Sequence, residues 1–291
     1  ARLYAMFWLC FFLFLVLLGR IAYMQLWRVD YYAKQADGNR LRQSRILAPR
    51  GIIYDCNGKE LVNNVPGYAV ALQKQSEYDK EMLKRLSLLI DIPLEKIEKK
   101  IKDNEYYSEP VVLKTNISAE LITKIEEQRR DLPDVILQVQ PIRNYLYNDL
   151  AVHALGYVGE VSSYEIENGL FKGATQGSIV GKSGLEKTYD KVLRGEDGTL
   201  MEEVDVAGNV VQYYDTVDPI QGKGLKLTID YTLQYKLEQF IDQHLEYLRK
   251  TKLAPKARAA AVVALDPRTG AVKAMSSRPD YDPNLFVGGI S

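Results

Sequence analysis

Three features of the 291-residue sequence predict an α+β chain that starts with a single transmembrane helix. An apolar run opens the chain, strand-like and helix-like segments alternate through its middle, and a helix followed by a hairpin begins a further unit near residue 225. The length suits about two domains rather than one. Hydrophobic residues at 46% and charged residues at 26% exclude a wholly disordered chain and a polytopic membrane protein.

The first element is the anchor. Residues 3–19 are all uncharged, and apolar character resumes after Arg20 and ends at Trp27. A hydrocarbon core about 30 Å thick needs about 20 apolar residues, which the stretch from Leu3 to Trp27 supplies. Arg20 lies near one end, where its guanidinium can reach the headgroups, and Tyr23 and Trp27 suit the same interface. A cleaved signal peptide would have a shorter apolar region followed by an Ala-x-Ala-like site, and no such site follows. Six aromatic residues and no polar face argue against a buried helix of a soluble core. Arg2 on one side and Arg20 and Arg28 on the other leave the orientation open by charge alone.

Charge and cysteine usage narrow the function. Beyond residue 28 the chain carries 35 basic and 38 acidic groups, a net of −3, whereas a nucleic-acid binder needs a basic stripe. Cys10 and Cys56 are too few for a disulfide framework and lack metal-ligand spacing, and His153 and His244 do not cluster. No cofactor and no metal is expected.

After a polar helix over residues 31–42, residues 52–54 read as a short strand and Asp55-Cys56-Asn57-Gly58 as a tight turn with Gly58 at positive φ. A second strand is expected over residues 68–73. Met82, Leu83, Leu86, Leu89 and Ile90 recur at helical spacing, and Pro93 opens another helix that continues through Ile97 and Ile101. Residues 111–113 form a strand, Ser118 caps a helix to Arg130, and residues 135–140 form a further strand.

Two nucleotide-like or catalytic strings in the next stretch fail on spacing. A phosphate loop needs four residues between its glycines, but Gly177 precedes Gly181-Lys182-Ser183 by one residue too few. Lys182-Ser183-Gly184 imitates a triplet of penicillin-interacting enzymes, yet it would come before every other catalytic motif. The structural reading is a helix over residues 185–193, a glycine-rich turn at Gly195 to Gly198, and a hairpin turning at Ala207-Gly208-Asn209.

Pro219 to Gly224 marks a boundary. A strand follows over residues 225–229, Asp230 caps a helix, and Leu233, Leu237, Phe240, Ile241, Leu245 and Leu248 form its apolar stripe, with His244 beside it. Residues 259–265 and 271–276 then flank the turn Asp266-Pro267-Arg268-Thr269-Gly270.

Taken in order, these segments resemble the class B penicillin-binding proteins, in the elongation-type branch that serves rod-shape growth. The resemblance rests on Pro49-Arg50-Gly51-Ile52-Ile53-Tyr54-Asp55 with Asn57-Gly58, on Gly156-Tyr157-Val158-Gly159, and on Gly181-Lys182-Ser183-Gly184-Leu185-Glu186 with Tyr189-Asp190. Leu193-Arg194-Gly195, Glu203-Val204-Asp205, Leu227-Thr228-Ile229-Asp230, Asp266-Pro267 with Gly270, and Tyr281-Asp282-Pro283-Asn284 extend it over nearly the whole chain. Cys56 stands where the family usually has Arg, and Tyr147-Asn148-Asp149 replaces a commoner Tyr-Pro-Gly pattern.

The resemblance implies a transmembrane anchor over residues 1–28, an extracytoplasmic pedestal of the dimerisation type over residues 29–224, and the beginning of a penicillin-binding transpeptidase α/β domain over residues 225–291. It implies a plasma-membrane location with the bulk of the chain outside. The family's chemistry is acyl transfer from D-Ala-D-Ala peptides to the Ser of a Ser-x-x-Lys motif, which β-lactams trap. No serine here has Lys three residues on, so no catalytic residue is expected within this sequence. Peptidoglycan and β-lactams would be met only beyond residue 291. Two function classes follow: the N-terminal portion of a transpeptidase, or a non-catalytic module that binds and regulates a SEDS-type polytopic glycosyltransferase, with other cell-wall elongation proteins as further partners. A generic membrane-anchored adhesin or sensor is a third. Exposed apolar residues near Tyr145 to Tyr147 are the first candidates for the partner-contact face.

Overall fold

The computed structural model describes residues 2–23, 41–73, 78–104, 110–175, 177–204 and 210–287. Trp27, Asp205, the expected turn at Ala207-Gly208-Asn209 and most of the expected helix over residues 31–42 lie outside them. In chain order the strands are β1 (Leu41–Ile46), β2 (Ile53–Tyr54), β3 (Glu60–Leu72), β4 (Val111–Lys114), β5 (Val135–Tyr145), β6 (Val158–Glu160), β7 (Ile179–Gly181), β8 (Gly198–Val204), β9 (Val210–Val217), β10 (Leu225–Lys226), β11 (Ala260–Leu265) and β12 (Val272–Arg278). The helices are α1 (Arg2–Ala22), α2 (Lys80–Ile90), α3 (Leu94–Asp103), α4 (Ala119–Glu127), α5 (Val152–Leu155), α6 (Ser163–Glu167), α7 (Gly184–Thr188), α8 (Asp190–Leu193) and α9 (Tyr231–Lys250).

The chain forms two compact units, one of residues 1–44 and 199–217, the other of residues 45–198 and 218–291. In the first, α1 runs for 21 residues and exposes Trp8, Phe12 and Leu17. Among the described residues no helix is long and apolar enough to cross a membrane, and α1 ends at Ala22, five residues short of Trp27. β8 and β9 form the expected antiparallel hairpin, with β1 on the other side of β8. Leu41 and Arg42 are therefore strand rather than the end of a helix, because this stretch pairs with β8.

The second unit is organised by β3. On one side it pairs with β2 and, farther along, with β4; on the other it pairs with β5 over eleven residues from Val62↔Tyr145 to Leu72↔Val135. Both strands run past the expected ranges of residues 68–73 and 135–140, and each carries a proline, Pro66 or Pro141, of the kind that normally interrupts a sheet. The register removes that objection. Leu146 N donates to Leu61 O and Gln73 N to Asp134 O, which makes the odd-numbered positions of β3 the hydrogen-bonded ones. Pro66 faces Pro141 at a non-hydrogen-bonded position, where each missing N–H would have pointed away from the ladder.

This ribbon joins two cores. At one end Val70, Leu72 and Val135 meet Leu86, Ile97 and Ile125 of α2, α3 and α4. Asp79 caps α2 by accepting from Glu81 N, and Ser118 caps α4 by accepting from Leu121 N, as the sequence indicated for Ser118. At the other end Ile53, Leu61, Val62 and Tyr145 meet Leu155, Val158, Leu193 and Val287. Leu225, Leu227 and Tyr231 pack on this same core. The expected strand over residues 225–229 is regular only at Leu225–Lys226, parallel to β2, but Leu227 N→Tyr54 O at 2.8 Å and Cys56 N→Ile229 O at 2.9 Å extend the pairing.

Asp230 caps α9 by accepting from Leu233 N, and α9 lies against β12 of the β11–β12 hairpin. Its buried face is Gln234, Glu238, Ile241 and Leu245, whereas Leu233 and Phe240 of the expected apolar stripe are exposed. Polar contacts turn the helix. Gln234 accepts from Met275 N at 2.9 Å and donates to Met275 O at 2.8 Å, and Glu238 accepts from Ala151 N at 2.9 Å. His244 is exposed and stacks between Phe240 and Tyr247.

Candidate functional site

Some of the residues singled out from the sequence, Arg50, Gly181, Glu186, Asp190 and Arg194, meet in a buried charge network where β2, β5, β7 and α7 come together. Arg50, which precedes β2, places Nη2 at 2.8 Å from Glu186 Oε2 and Nη1 at 3.0 Å from Asp190 Oδ1. Arg143 enters from β5, donating from Nε to Glu186 Oε1 at 2.8 Å and from Nη1 to Gly51 O at 2.8 Å. Asp190 also accepts from Gly181 N at 2.9 Å, and Arg194 adds an ion pair at 3.4 Å. Arg50, Arg143, Glu186 and Asp190 are all buried, two of each sign. Burial alone would lower the pKa of Arg50; Glu186 and Asp190 outweigh it and raise it.

Glycines let the backbone close around these groups. A Cβ on Gly51 would lie 2.0 Å from Lys223 O, and one on Gly181 would lie 2.0 Å from Glu186 O. The expected helix over residues 185–193 is instead α7 and α8, broken at Tyr189, just before Asp190 turns its carboxylate to Gly181 N and Arg50. Lys182 is paired with Glu165, and the Ser183 hydroxyl is buried without a hydrogen-bond partner among the described residues. Neither is arranged as a phosphate cradle or as a nucleophile with its base.

A second cluster ties the Asp55 turn to the start of α9. Asp55 Oδ1 accepts from Asn57 N and Lys59 N, both at 2.8 Å, and Oδ2 accepts from Tyr231 N at 3.3 Å; Asn57 Nδ2 reaches Asp230 Oδ2 at 3.1 Å. Gly58 has φ 88°, as the turn requires. Burial would raise the Asp55 pKa, but the N–H groups of Lys59, Tyr231 and Asn57 outweigh it and hold the carboxyl below the usual range. Its stabilisation is therefore complete above an unfolded-state pKa of about 3.9 and is lost as pH falls through the depressed folded value. Asp55→Asn is expected to make stability fall less steeply between about pH 4 and pH 2 in denaturant titrations. Parallel profiles would contradict this role. Burial pushes the Cys56 thiol up, away from the reactive thiolate.

The remaining predicted positions are local devices. Asp266 accepts from Arg268 N in the β11–β12 turn, which Gly270 closes at φ 72°. Asp282 accepts from Asn284 N, and Asn284 reaches the backbone of Tyr145. Gly184 adopts φ 57° at the start of α7, and Gly195 packs where a Cβ would lie 2.2 Å from Ile220 O. Arg143 is the main residue the sequence reading missed; it lies two residues before Tyr145 on β5, and both are buried. Tyr145 is buried, so it cannot belong to the exposed contact face expected near residues 145–147; Leu146 is exposed there. Burial raises the pKa of the Tyr145 hydroxyl well above its ordinary value, and nearby Glu186 adds to the shift.

This arrangement holds distant segments of the chain together. Residues 45–227, which contain the whole charge network, match the penicillin-binding protein dimerisation domain. The chain belongs to the penicillin-binding proteins. Among the relatives of this penicillin-binding protein chain, the peptidoglycan D,D-transpeptidase MrdA of Acinetobacter baumannii is 34% identical over 284 residues, 95% of this chain and 40% of the relative. A chain from a peptidoglycan synthase complex, described as coordinating polymerization and crosslinking, is 30% identical with a TM-score of 0.55 and is matched over 98% of this chain and 48% of its own length. Penicillin-binding protein PBP2 of Helicobacter pylori, solved in complex with MreC, is 25% identical with a TM-score of 0.59, over 86% of this chain and 45% of that one. The chain thus spans less than half the length of each of these proteins.

Proposed function

We propose that the chain is the N-terminal, pedestal-bearing portion of a membrane-anchored penicillin-binding protein of cell-wall synthesis, whose complete form crosslinks D-Ala-D-Ala stem peptides by serine acyl transfer. The match over residues 45–227, continued by relatedness to MrdA over 95% of the chain, carries this reading. In it, residues 1–28 are the anchor in the plasma membrane, residues 29–224 the extracytoplasmic pedestal, and residues 225–291 the start of the transpeptidase domain. The uncharged stretch from Leu3 supports the anchor. The buried network and the Asp55 cluster then have a positioning role: they fix the pedestal's own segments and the start of α9 in one frame.

A SEDS-type polytopic glycosyltransferase and other elongation proteins are the partners in this reading. The pedestal as a non-catalytic module that binds and regulates that glycosyltransferase is the alternative. Both forms make one prediction for the chain itself. Incubated with excess penicillin, the purified 291-residue chain should show no covalent adduct by intact mass. A stoichiometric shift would place a nucleophile within these residues and overturn the reading.

A further inference from the structure

Among the described residues β5 pairs with β3 and with no other strand, which leaves its outer edge without a strand. Tyr145 pairs with Val62 at a non-hydrogen-bonded position, so its N–H and C=O point away from β3 toward that edge. Two backbone groups beside a fully packed core need partners, because an unpaired buried polar group is costly. One side-chain amide meets both, and Tyr145 O accepts in addition from Asn148 N at 3.3 Å. Asn284 Oδ1 accepts from Tyr145 N at 2.9 Å, and Asn284 Nδ2 donates to Tyr145 O at 3.0 Å.

The amide is itself held. Asp282 Oδ1 accepts from Asn284 Nδ2 at 3.0 Å and from Asn284 N at 2.9 Å, which orients the carboxamide with its donor and acceptor matched to the strand edge. Gln234 meets Met275 of β12 with the same pair of bonds. Behind the clamped backbone, the Tyr145 ring lies in the core with Ile53 and Val287, close enough to Glu186 and Arg143 for their charges to act on its hydroxyl.

We propose that Asn284, oriented by Asp282, is a clamp that couples the segment after β12 to β5, so that residues 281–287 follow the pedestal rather than the β11–β12 hairpin. It is built as a two-bond lock between one donor–acceptor side chain and one residue of a strand edge, and one change of chemistry releases it. In the transpeptidase reading, on which this functional meaning rests, the clamp passes displacement of the pedestal to the chain entering the transpeptidase domain. The clamp itself requires no activity to be observed.

The test is amide hydrogen exchange on the whole chain, expressed as protection relative to the unstructured rate. Asn284→Ala removes both bonds and is expected to lower protection of the Tyr145 amide and of residues 284–287 at least about tenfold, with α2 and α4 unchanged. Asn284→Asp is the decisive variant. At pH 7 its carboxylate retains an acceptor for Tyr145 N but faces Tyr145 O with a second acceptor, so protection should fall as in Asn284→Ala. Near pH 3 the protonated acid again offers one donor and one acceptor, and protection at Tyr145 should return toward that of the unsubstituted chain. Unchanged protection in Asn284→Ala, or an Asn284→Asp variant whose protection does not recover on acidification, would overturn the clamp. Neither outcome bears on the transpeptidase reading, which penicillin labelling tests separately.

Discussion

Replacing Glu186 with alanine is expected to destabilise the unit of residues 45–198 and 218–291 by about 3–5 kcal/mol, the cost of breaking a buried ion pair from one side. Glu186 is fully buried and receives both guanidinium groups, with Arg50 Nη2 at 2.8 Å and Arg143 Nη2 at 2.7 Å. Its removal leaves Asp190 facing Arg50 and, among the described residues, only the neutral oxygens Gly51 O and Asn64 Oδ1 facing Arg143. A buried guanidinium is then left without a counter-charge, which is the costly outcome. The midpoint of urea denaturation should fall accordingly, and a change below about 1 kcal/mol would show that water or rearrangement replaces the carboxylate. Replacing Arg143 and Glu186 together with Met and Leu should cost less than Glu186→Ala alone, because the pair's desolvation is then removed with its attraction.

The second large effect is expected at Gly181. Its added Cβ would meet Glu186 O at 2.0 Å, Glu186 C at 2.1 Å and Lys187 N at 2.5 Å, all of them backbone atoms of α7. Gly181 is also paired with Val158 and donates to Asp190, so it cannot retreat without breaking those contacts. Gly181→Ala should therefore cost about 3 kcal/mol, the upper part of the overpacking range, and should displace Glu186 from the arginines. Gly159 in the same hairpin is the control. A Cβ there would meet the flexible side chain of Lys182, first at 3.3 Å, so Gly159→Ala should change stability by about 1 kcal/mol at most. Equal effects of the two substitutions would contradict the close-packed account.

Local punctuation was legible in the sequence, and long-range polar partnerships were not. Gly58 and Gly270 at positive φ, Ser118 and Asp230 as caps, and Pro93 at the start of α3 each act through neighbours a few residues away, which residue type alone reveals. Arg50 and Glu186 were recognised as motif positions, but their pairing spans 136 residues and depends on Arg143, which belongs to none of the motif strings. β3 and β5 extend through Pro66 and Pro141 because the register places both at non-hydrogen-bonded positions, a long-range fact that residue type alone does not carry. On α9 the apolar period pointed to Leu233 and Phe240, yet Gln234 and Glu238 are buried because they carry hydrogen bonds to β12 and Ala151. Periodicity counts apolar surface and does not count a polar side chain whose partners lie in another element.

The central claim is that this chain is the pedestal-bearing part of a transpeptidase. Its most direct test is fluorescent-penicillin labelling of native membranes, followed by immunoprecipitation with an antibody raised against residues 45–227. The account predicts a labelled band well above the 33.1 kDa of these 291 residues. An unlabelled band near 33.1 kDa would contradict it and leave a pedestal that acts through partners alone.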